Sequence, residues 1–384
     1  MKVPFYRHGL DRSYAPAVGD VLDSQFLTTG AVARSVEGEL RKFFDVPHAA
    51  LVNSWTNGAV AALLALGIGE GDEVIVPAMT FIASANVAEL VGAKAAFADV
   101  DPDTLLLTPA RVKAALSART RAIIPVHLYG QMCDVRALRA AIADRPDIAI
   151  IEDAAHSFES SRDGDLPGAH SDAAIFSFYA TKNVSCGEGG AIITRRADLF
   201  EALLQTRLHG MSAGAADRFA KDRYQHWDMV RLGTKANLPD LLAALLPRQI
   251  ATARERLALR EVRARRYEQA FAGNAIRLAK NLPGVITARH LFPIHVPPRV
   301  RDRALQALNE RGIGTTVNYR SVPTLTYYRK KYGYTPQDFP VSFEWGEGMI
   351  TLPLFPSLTT AEQDYVIAAV LDVVVPMVQA STEG

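Results

Sequence analysis

Cysteine is scarce, with only Cys133 and Cys186 in 384 residues. Two thiols are too few for a disulfide framework or a metal cluster, which suits a reducing compartment. An excess of one charge is also missing, because 42 basic residues against 41 acidic ones leave a formal charge of +1. With no long run of like charge, the chain lacks the electrostatic footprint of a nucleic-acid or anionic-membrane binder. Long apolar runs are absent too. The segment Met1-Lys2-Val3-Pro4-Phe5-Tyr6-Arg7 has no signal-type apolar stretch, and no segment is expected to reach the length needed to span a bilayer. A soluble, cytoplasmic protein with no nucleic-acid or membrane partner is expected. P-loop, HExxH and nucleophile-elbow motifs, internal repeats and low-complexity segments are all lacking, which removes several enzyme and repeat classes.

The apolar fraction of 49% and charged fraction of 22% are those of an ordinary globular protein. A chain of this length exceeds the usual single core, so a large domain over residues 1–250 and a smaller one over 251–384 are expected, with residues 1–48 packing on the active site. From Ala49, short apolar runs alternate with helical stretches: Ala50-Leu51-Val52, Glu73 to Pro77, Ala95 to Val100, Arg121 to Val126, Ile148 to Asp153, Ala173 to Phe178 and Ala191 to Thr194. This order predicts an α/β fold with a mostly parallel sheet covered by helices on both faces, a three-layer α/β/α domain. Ligands then meet the loops at the strands' carboxyl ends. An arginine-rich helical run from Leu238 to about Phe271, broken or kinked at Pro247, reads as a link between domains or a subunit boundary with a largely solvated face. Strands at Leu291 to Val296 and Thr315 to Tyr319, with helices at Arg301 to Glu310 and Ala361 to Val378, make the smaller α+β domain.

The chemistry centres on Phe176-Ser177-Phe178-Tyr179-Ala180-Thr181-Lys182-Asn183, which leads into Gly187-Glu188-Gly189-Gly190. A lysine in partly apolar surroundings loses part of its preference for the ammonium form and becomes a nucleophile toward aldehydes. A surface lysine at a strand end has the same local signature, so the rest of the chain must decide. Ser54-Trp55-Thr56-Asn57 lies between a strand and a helix, where hydroxyls and free N–H groups receive a phosphate, although a plain Ser/Thr cap looks alike. Asp153 ends an apolar strand and points into the crevice, where it can hold a protonated ring nitrogen. His156 follows it, within reach of a phenolic or phosphate oxygen, and Phe81 can stack on a planar cofactor or pack in the core. A phosphate receptor, a carboxylate for a pyridinium, a stacking aromatic and an aldehyde-binding lysine are the four parts that pyridoxal 5'-phosphate requires. The glycines 187–190 are not a dinucleotide fingerprint, because they follow the lysine loop instead of joining the first strand to its helix.

Several ordered motifs resemble the nucleotide-sugar aminotransferases of the DegT/StrS family: Asp72 to Pro77, Phe97 to Pro102, Ile124 to Gly130, Glu152 to His156, Phe176 to Asn183 and Gly187 to Gly190. The likeness runs from Thr28-Thr29-Gly30 to Leu352-Pro353-Leu354-Phe355-Pro356. It implies a type I aminotransferase fold and a homodimer with shared active sites. By motif position, Lys182 is the covalent attachment point of the cofactor, Asp153 pairs with the ring nitrogen, and His156 sits near the ring oxygen. Ser177 and the turn Ser54, Trp55, Thr56, Asn57 hold the phosphate, Phe81 lies on the ring face, and Asn237 reaches the neighbour's phosphate. Thr28, Thr29, Asn318 and Tyr319 are the implied substrate contacts. There are two departures from the family pattern. Trp55 replaces a small residue of the phosphate turn, so the loop changes shape or the indole faces substrate, and Asn318 precedes Tyr319 where the family commonly has His-Tyr. The resemblance implies amino transfer from an amino acid, L-glutamate, to a nucleotide-linked keto sugar. Rival readings are a sugar dehydratase of the same fold, against which Lys182 speaks, and a cofactor-binding regulator without turnover.

Overall fold

The computed structural model describes residues 1–212 and 226–382. Its centre is a seven-stranded sheet built from β1 (His48–Val52), β2 (Glu73–Pro77), β3 (Lys94–Ala98), β4 (Thr120–Ile123), β5 (Ala149–Asp153), β7 (Ala173–Ser177) and β8 (Gly190–Thr194). The spatial order is β1-β8-β7-β5-β4-β2-β3, and β8 alone runs against its neighbours. All residues of β2, β5 and β8 are buried, as expected of strands covered on both faces, where an apolar run replaces alternation. The predicted α/β architecture is therefore the one observed.

Because β8 is the sole antiparallel strand, the carboxyl ends of β1, β2, β5 and β7 meet at one edge, together with the start of β8. Gly190 marks that meeting point: it pairs with Val52 on one side and Ser177 on the other. A Cβ there would lie 2.6 Å from the Phe176 carbonyl oxygen and 3.1 Å from the Trp55 nitrogen. Glycine is thus the residue that lets the phosphate turn, the lysine strand and β8 approach so closely.

The arginine-rich run is three helices, Asp240–Ala243, Pro247–Ala251 and Ala253–Phe271. Pro247 begins the second, a position where its missing N–H costs nothing. Its expected solvated face is only partly so, since Arg260 is fully buried against Glu159. Short strands flank the helices: β6 (Ser161–Arg162) pairs with β9 (Val285–Ile286), and β10 (Phe292–His295) with β11 (Met349–Leu352). The strand expected at Thr315 to Tyr319 does not form among the described residues. Thr316 makes a single bridge to Thr351, and the chain then leaves to bridge Met79 at Ser321.

Val3 packs in a C-terminal cluster with Tyr267, Ile294 and Val366, whereas Val322, Tyr328 and Phe339 join the core beneath the large sheet. The two parts of the chain therefore interlock. One further expectation fails: Thr360–Ser381 is a continuous helix long and apolar enough to cross a bilayer, with mean hydropathy 1.5. Its apolar face, with Val366, Val370, Val374 and Val378, fills the C-terminal cluster. Polar residues interrupt the run too sparsely for sequence inspection to separate a core helix from a span.

Candidate active site

The loop between β7 and β8 carries Lys182. It is a closed excursion: the Phe178 N–H donates to the Gly189 carbonyl at 2.8 Å, the Cys186 N–H donates to the Phe178 carbonyl at 3.0 Å, and the Lys182 N–H donates to the Tyr179 carbonyl at 2.9 Å. Cys186 is a packed thiol within it, its pKa pushed up to about 12 chiefly by burial. The half-buried Lys182 has its pKa brought down from 10.5 to about 8 by burial, against the opposing pull of Asp153. Burial wins because desolvating the ammonium costs more than one carboxylate returns. Between pH 8 and 10.5 the folded protein binds fewer protons than the unfolded chain, so this lysine makes stability rise with pH across that window. Uptake of pyridoxal phosphate by the apoprotein, followed by its visible absorption, is expected to rise with pH and reach half its maximum near pH 8. A midpoint near 10.5 would mark Lys182 as an ordinary exposed lysine.

Asp153 stands at the end of β5, where Ser84 Oγ donates to one carboxylate oxygen at 2.7 Å and the Ala155 N–H to the other at 3.1 Å. Since Ser84 spends its proton there, the Thr80 hydroxyl 2.8 Å away is the donor to Ser84. Burial raises the pKa of Asp153, while Ser84, Ala155 and the Lys182 charge oppose the rise. Behind it, His127 donates from Nε2 to Glu152 at 2.6 Å and accepts the Cys133 N–H at Nδ1, at 3.1 Å.

His156 accepts the Tyr129 N–H at Nδ1, at 3.3 Å, and meets the Tyr319 hydroxyl at Nε2, at 3.2 Å. Burial, then the charges of Lys182 and His290, push its pKa well below 6.5. The ring is therefore neutral with its proton on Nε2, which donates to Tyr319 and leaves that phenol free to donate onward. Tyr319 stacks near His156, with centroids 6.0 Å apart, and faces Phe81 at 5.8 Å. Phe81 precedes a helix and does not belong to it. It sits in the bend before Ala83–Leu90 and is 53% exposed.

At the phosphate turn, Ser54 caps the helix Trp55–Ala65 and accepts the Asn57 N–H at 3.1 Å. Asn57 also donates to Asn53. Helix geometry leaves the N–H groups of Trp55 and Thr56 without intrahelical acceptors. Ser177 accepts the Tyr179 N–H at 3.3 Å, directly across from Gly190. Trp55 is buried in the core, so its ring packs inward, and its Nε1 has no partner among the described residues. Asn237 lies beside Val52 of the same chain and donates to Thr29 Oγ1 at 2.6 Å and Thr28 Oγ1 at 3.3 Å. Its Oδ1 and that of Asn318 are buried without partners.

Several participants were not read from the sequence. Asn183 donates to Glu159 at 2.9 Å and to the Ala288 carbonyl at 3.0 Å, which fixes its amide so that Oδ1 accepts from His290 Nδ1 at 3.2 Å. His290 lies 4.3 Å from His156, centroid to centroid. Adjacency to Lys182 flagged Asn183, but nothing local marks Glu159, Arg260 or His290. Arg260 pairs with Glu159 and donates from Nε to the Ala288 carbonyl at 3.0 Å. Arg260→Ala is expected to cost about 3–5 kcal/mol, because it strands the buried Glu159 carboxylate. Urea denaturation checks this, and a loss below about 1 kcal/mol would contradict the network's role.

With this arrangement in place, the relationships are informative. The model of the DegT/DnrJ/EryC1/StrS aminotransferase family matches residues 10–371. This chain belongs to that family. Spr1654 of Streptococcus pneumoniae, assigned as a sugar aminotransferase, is similar in its apo form at 28% identity over 100% of both chains, with a TM-score of 0.92. Its pyridoxamine phosphate form aligns at 30% identity over 96% of this chain and 98% of that one, with a TM-score of 0.90. DesV of S. venezuelae aligns at 32% identity over 97% and 98%, with a TM-score of 0.89. The chain thus has the type I fold of the pyridoxal-phosphate-dependent transaminases. The site fits this cofactor on its own terms: Gly190 keeps open a cradle that a Cβ would fill, the helix start offers unpaired N–H groups, and Lys182 is poised to be neutral opposite a fixed carboxylate.

Proposed function

We propose that this aminotransferase moves an amino group from L-glutamate to a nucleotide-linked keto-deoxysugar, making an amino sugar for glycan, lipopolysaccharide or antibiotic biosynthesis. The observation that carries the reading is Lys182, with a pKa near 8, set opposite Asp153 and beside the neutral His156. Bound there, pyridoxal phosphate supplies an aldehyde for nitrogen and an electron sink. Lys182 is its attachment point. With the donor bound, the Lys182 amine would be the base that moves a proton from the donor's α carbon, a task suited to a group that titrates near neutrality. Asp153, fixed by Thr80 and Ser84, holds the ring nitrogen protonated. Ser54 to Asn57 and Ser177 would hold the phosphate, Phe81 would cover the ring, and His156 would orient Tyr319 toward the ring oxygen or substrate. Unpaired Oδ1 atoms on Asn237 and Asn318 support polar contacts there, with Thr28 and Thr29 beside Asn237.

In the same reading the protein is a cytoplasmic homodimer with shared sites, in which Asn237 serves the partner's phosphate. Exposed Phe26, Leu27, Phe81 and Tyr179 support a covering subunit at this edge. The cofactor-binding unit is residues 1–250 and the smaller unit 251–384, with Val3 contributed to the second and Val322, Tyr328 and Phe339 to the first. The sugar acceptor rests on the family and on the sugar aminotransferase assignment of Spr1654. Glutamate is expected to bleach the visible absorption of the holoenzyme, and one nucleotide-linked keto sugar from a panel should restore it. Bleaching that no keto sugar reverses would sink the acceptor assignment. Initial-rate lines for donor and acceptor should run parallel, as one cofactor serves two substrates in turn.

A further inference from the structure

Behind the active-site loop, the N-terminal segment, the helices Pro247–Ala251 and Ala253–Phe271 and the turn at 356–357 enclose a cavity of about 200 Å³. Arg7, Arg248 and Arg256 line it with Tyr14, Thr252 and Ser357, and no carboxylate reaches its wall. Glu362 neutralises Arg7 from outside. Among the described residues the other two guanidiniums hydrogen-bond only to neutral groups. Arg248 donates to Ser13 Oγ at 2.6 Å and lies 5.2 Å from the centre of the Tyr14 ring. Arg256 donates to Gln249 Oε1 at 3.1 Å, and Gln249 is itself tied to the Ser185 N–H and carbonyl. The nearby acids lie outside its wall: Glu159 pairs with Arg260, and Asp11 accepts from the Ser13 N–H and hydroxyl and feels the Arg248 charge through that serine without pairing with it. Burial and then the charge of Arg260 press the pKa of Arg256 downward, against the weaker pull of Tyr14 and Glu159. Gly9 packs so close that a Cβ would lie 2.7 Å from Arg256 Nη2, so the backbone walls one side of that guanidinium.

Arg256, half-buried in this cavity with no carboxylate in hydrogen-bond contact, carries a desolvation cost that an anion would offset, and the exposed Arg248 guanidinium on the same wall adds a second positive charge. N–H forks match the oxygens of a carboxylate or a phosphate, and two forks on one wall suit the doubly charged, tetrahedral one. We propose that this cavity is a binding site for a phosphate group, free or as a monoester, separate from the phosphate turn at Ser54. The forks of Arg248 and Arg256 are its main ligands, with Arg7 and the Ser357 hydroxyl at the rim.

The test uses the cofactor-loaded enzyme, whose Ser54 turn already holds the cofactor's own phosphate. Calorimetric titration with inorganic phosphate, and separately with glycerol 3-phosphate, is expected to give one saturable site per chain. Arg248→Gln and Arg256→Gln should each weaken it at least about tenfold, the loss of charge-assisted hydrogen bonds. Arg256→Lys, which keeps the charge without the fork, should weaken it by less, and it stands in if the glutamine variant does not fold. Tighter binding of the ester assigns the site to a phosphorylated metabolite, and equal or weaker binding to free phosphate. Binding that does not saturate, or that survives unchanged in the Arg248→Gln, Arg256→Gln double variant, overturns the proposal.

Discussion

Lys182→Ala is expected to fold, to bind pyridoxal phosphate only non-covalently, and to transfer nitrogen at least about 1000-fold more slowly than the wild type. In the proposed reaction two functions go with one side chain, the attachment of the cofactor and the shuttling of a proton. No neighbour is placed to replace it: His156 has committed Nδ1 to the Tyr129 N–H and its Nε2 proton to Tyr319, and His290 Nδ1 is bound to Asn183. Stability should not fall with the lysine. Below pH 8 the wild type buries an ammonium at a cost, and alanine removes that cost. Turnover measured beside a thermal melt separates this from misfolding. A variant with wild-type turnover would refute the role of Lys182, whereas one that loses both turnover and fold would leave Lys182→Arg, which keeps the charge without the free amine, to decide.

Asp153→Asn should lower kcat about 100- to 1000-fold with little change in cofactor phosphate affinity. Asparagine keeps the shape and can still accept the Ser84 hydroxyl, so the loss would isolate the charge proposed to hold the ring nitrogen protonated. The same change bears on stability with the opposite sign. Burial raises the pKa of Asp153 above 3.8, so the folded apoprotein binds this proton more tightly than the unfolded chain. The ionised carboxylate therefore costs stability, increasingly as pH climbs from 3.8 through the raised value. The Asp153→Asn apoprotein should melt no lower than wild type at neutral pH. A large drop in melting temperature with kcat preserved would make Asp153 a structural residue instead.

Much of this was legible because strand ends in a parallel sheet converge. The buried runs Glu73 to Pro77 and Ala149 to Asp153 announce their strands by composition, and Asp153 and Ser177 then fall at carboxyl ends by position alone. What was hidden depends on contacts between distant segments. Arg260 looks in sequence like any arginine on a charged helix, and only the fold turns it onto Glu159, which lies 101 positions away. The 315–319 segment has strand-like composition, yet it bridges the sheet and the C-terminal part at single points, and this leaves Tyr319 free to reach His156. Ser84 was invisible for a similar reason: a small hydroxyl in the helix Ala83–Leu90 gives no signal until the helix packs over the end of β5. The helix Thr360–Ser381 erred in the other direction, because an apolar run reads alike whether a protein core or a bilayer receives it.

Amino transfer through Lys182 is tested most directly by incubating the holoenzyme with glutamate labelled with nitrogen-15 and a nucleotide-linked keto sugar, then weighing the sugar nucleotide by mass spectrometry. The account predicts an amino sugar that carries the label with wild-type enzyme and none with Lys182→Ala. Labelled product from Lys182→Ala at the wild-type rate, or wild-type enzyme that takes the label from glutamate and never passes it to a sugar, would contradict it.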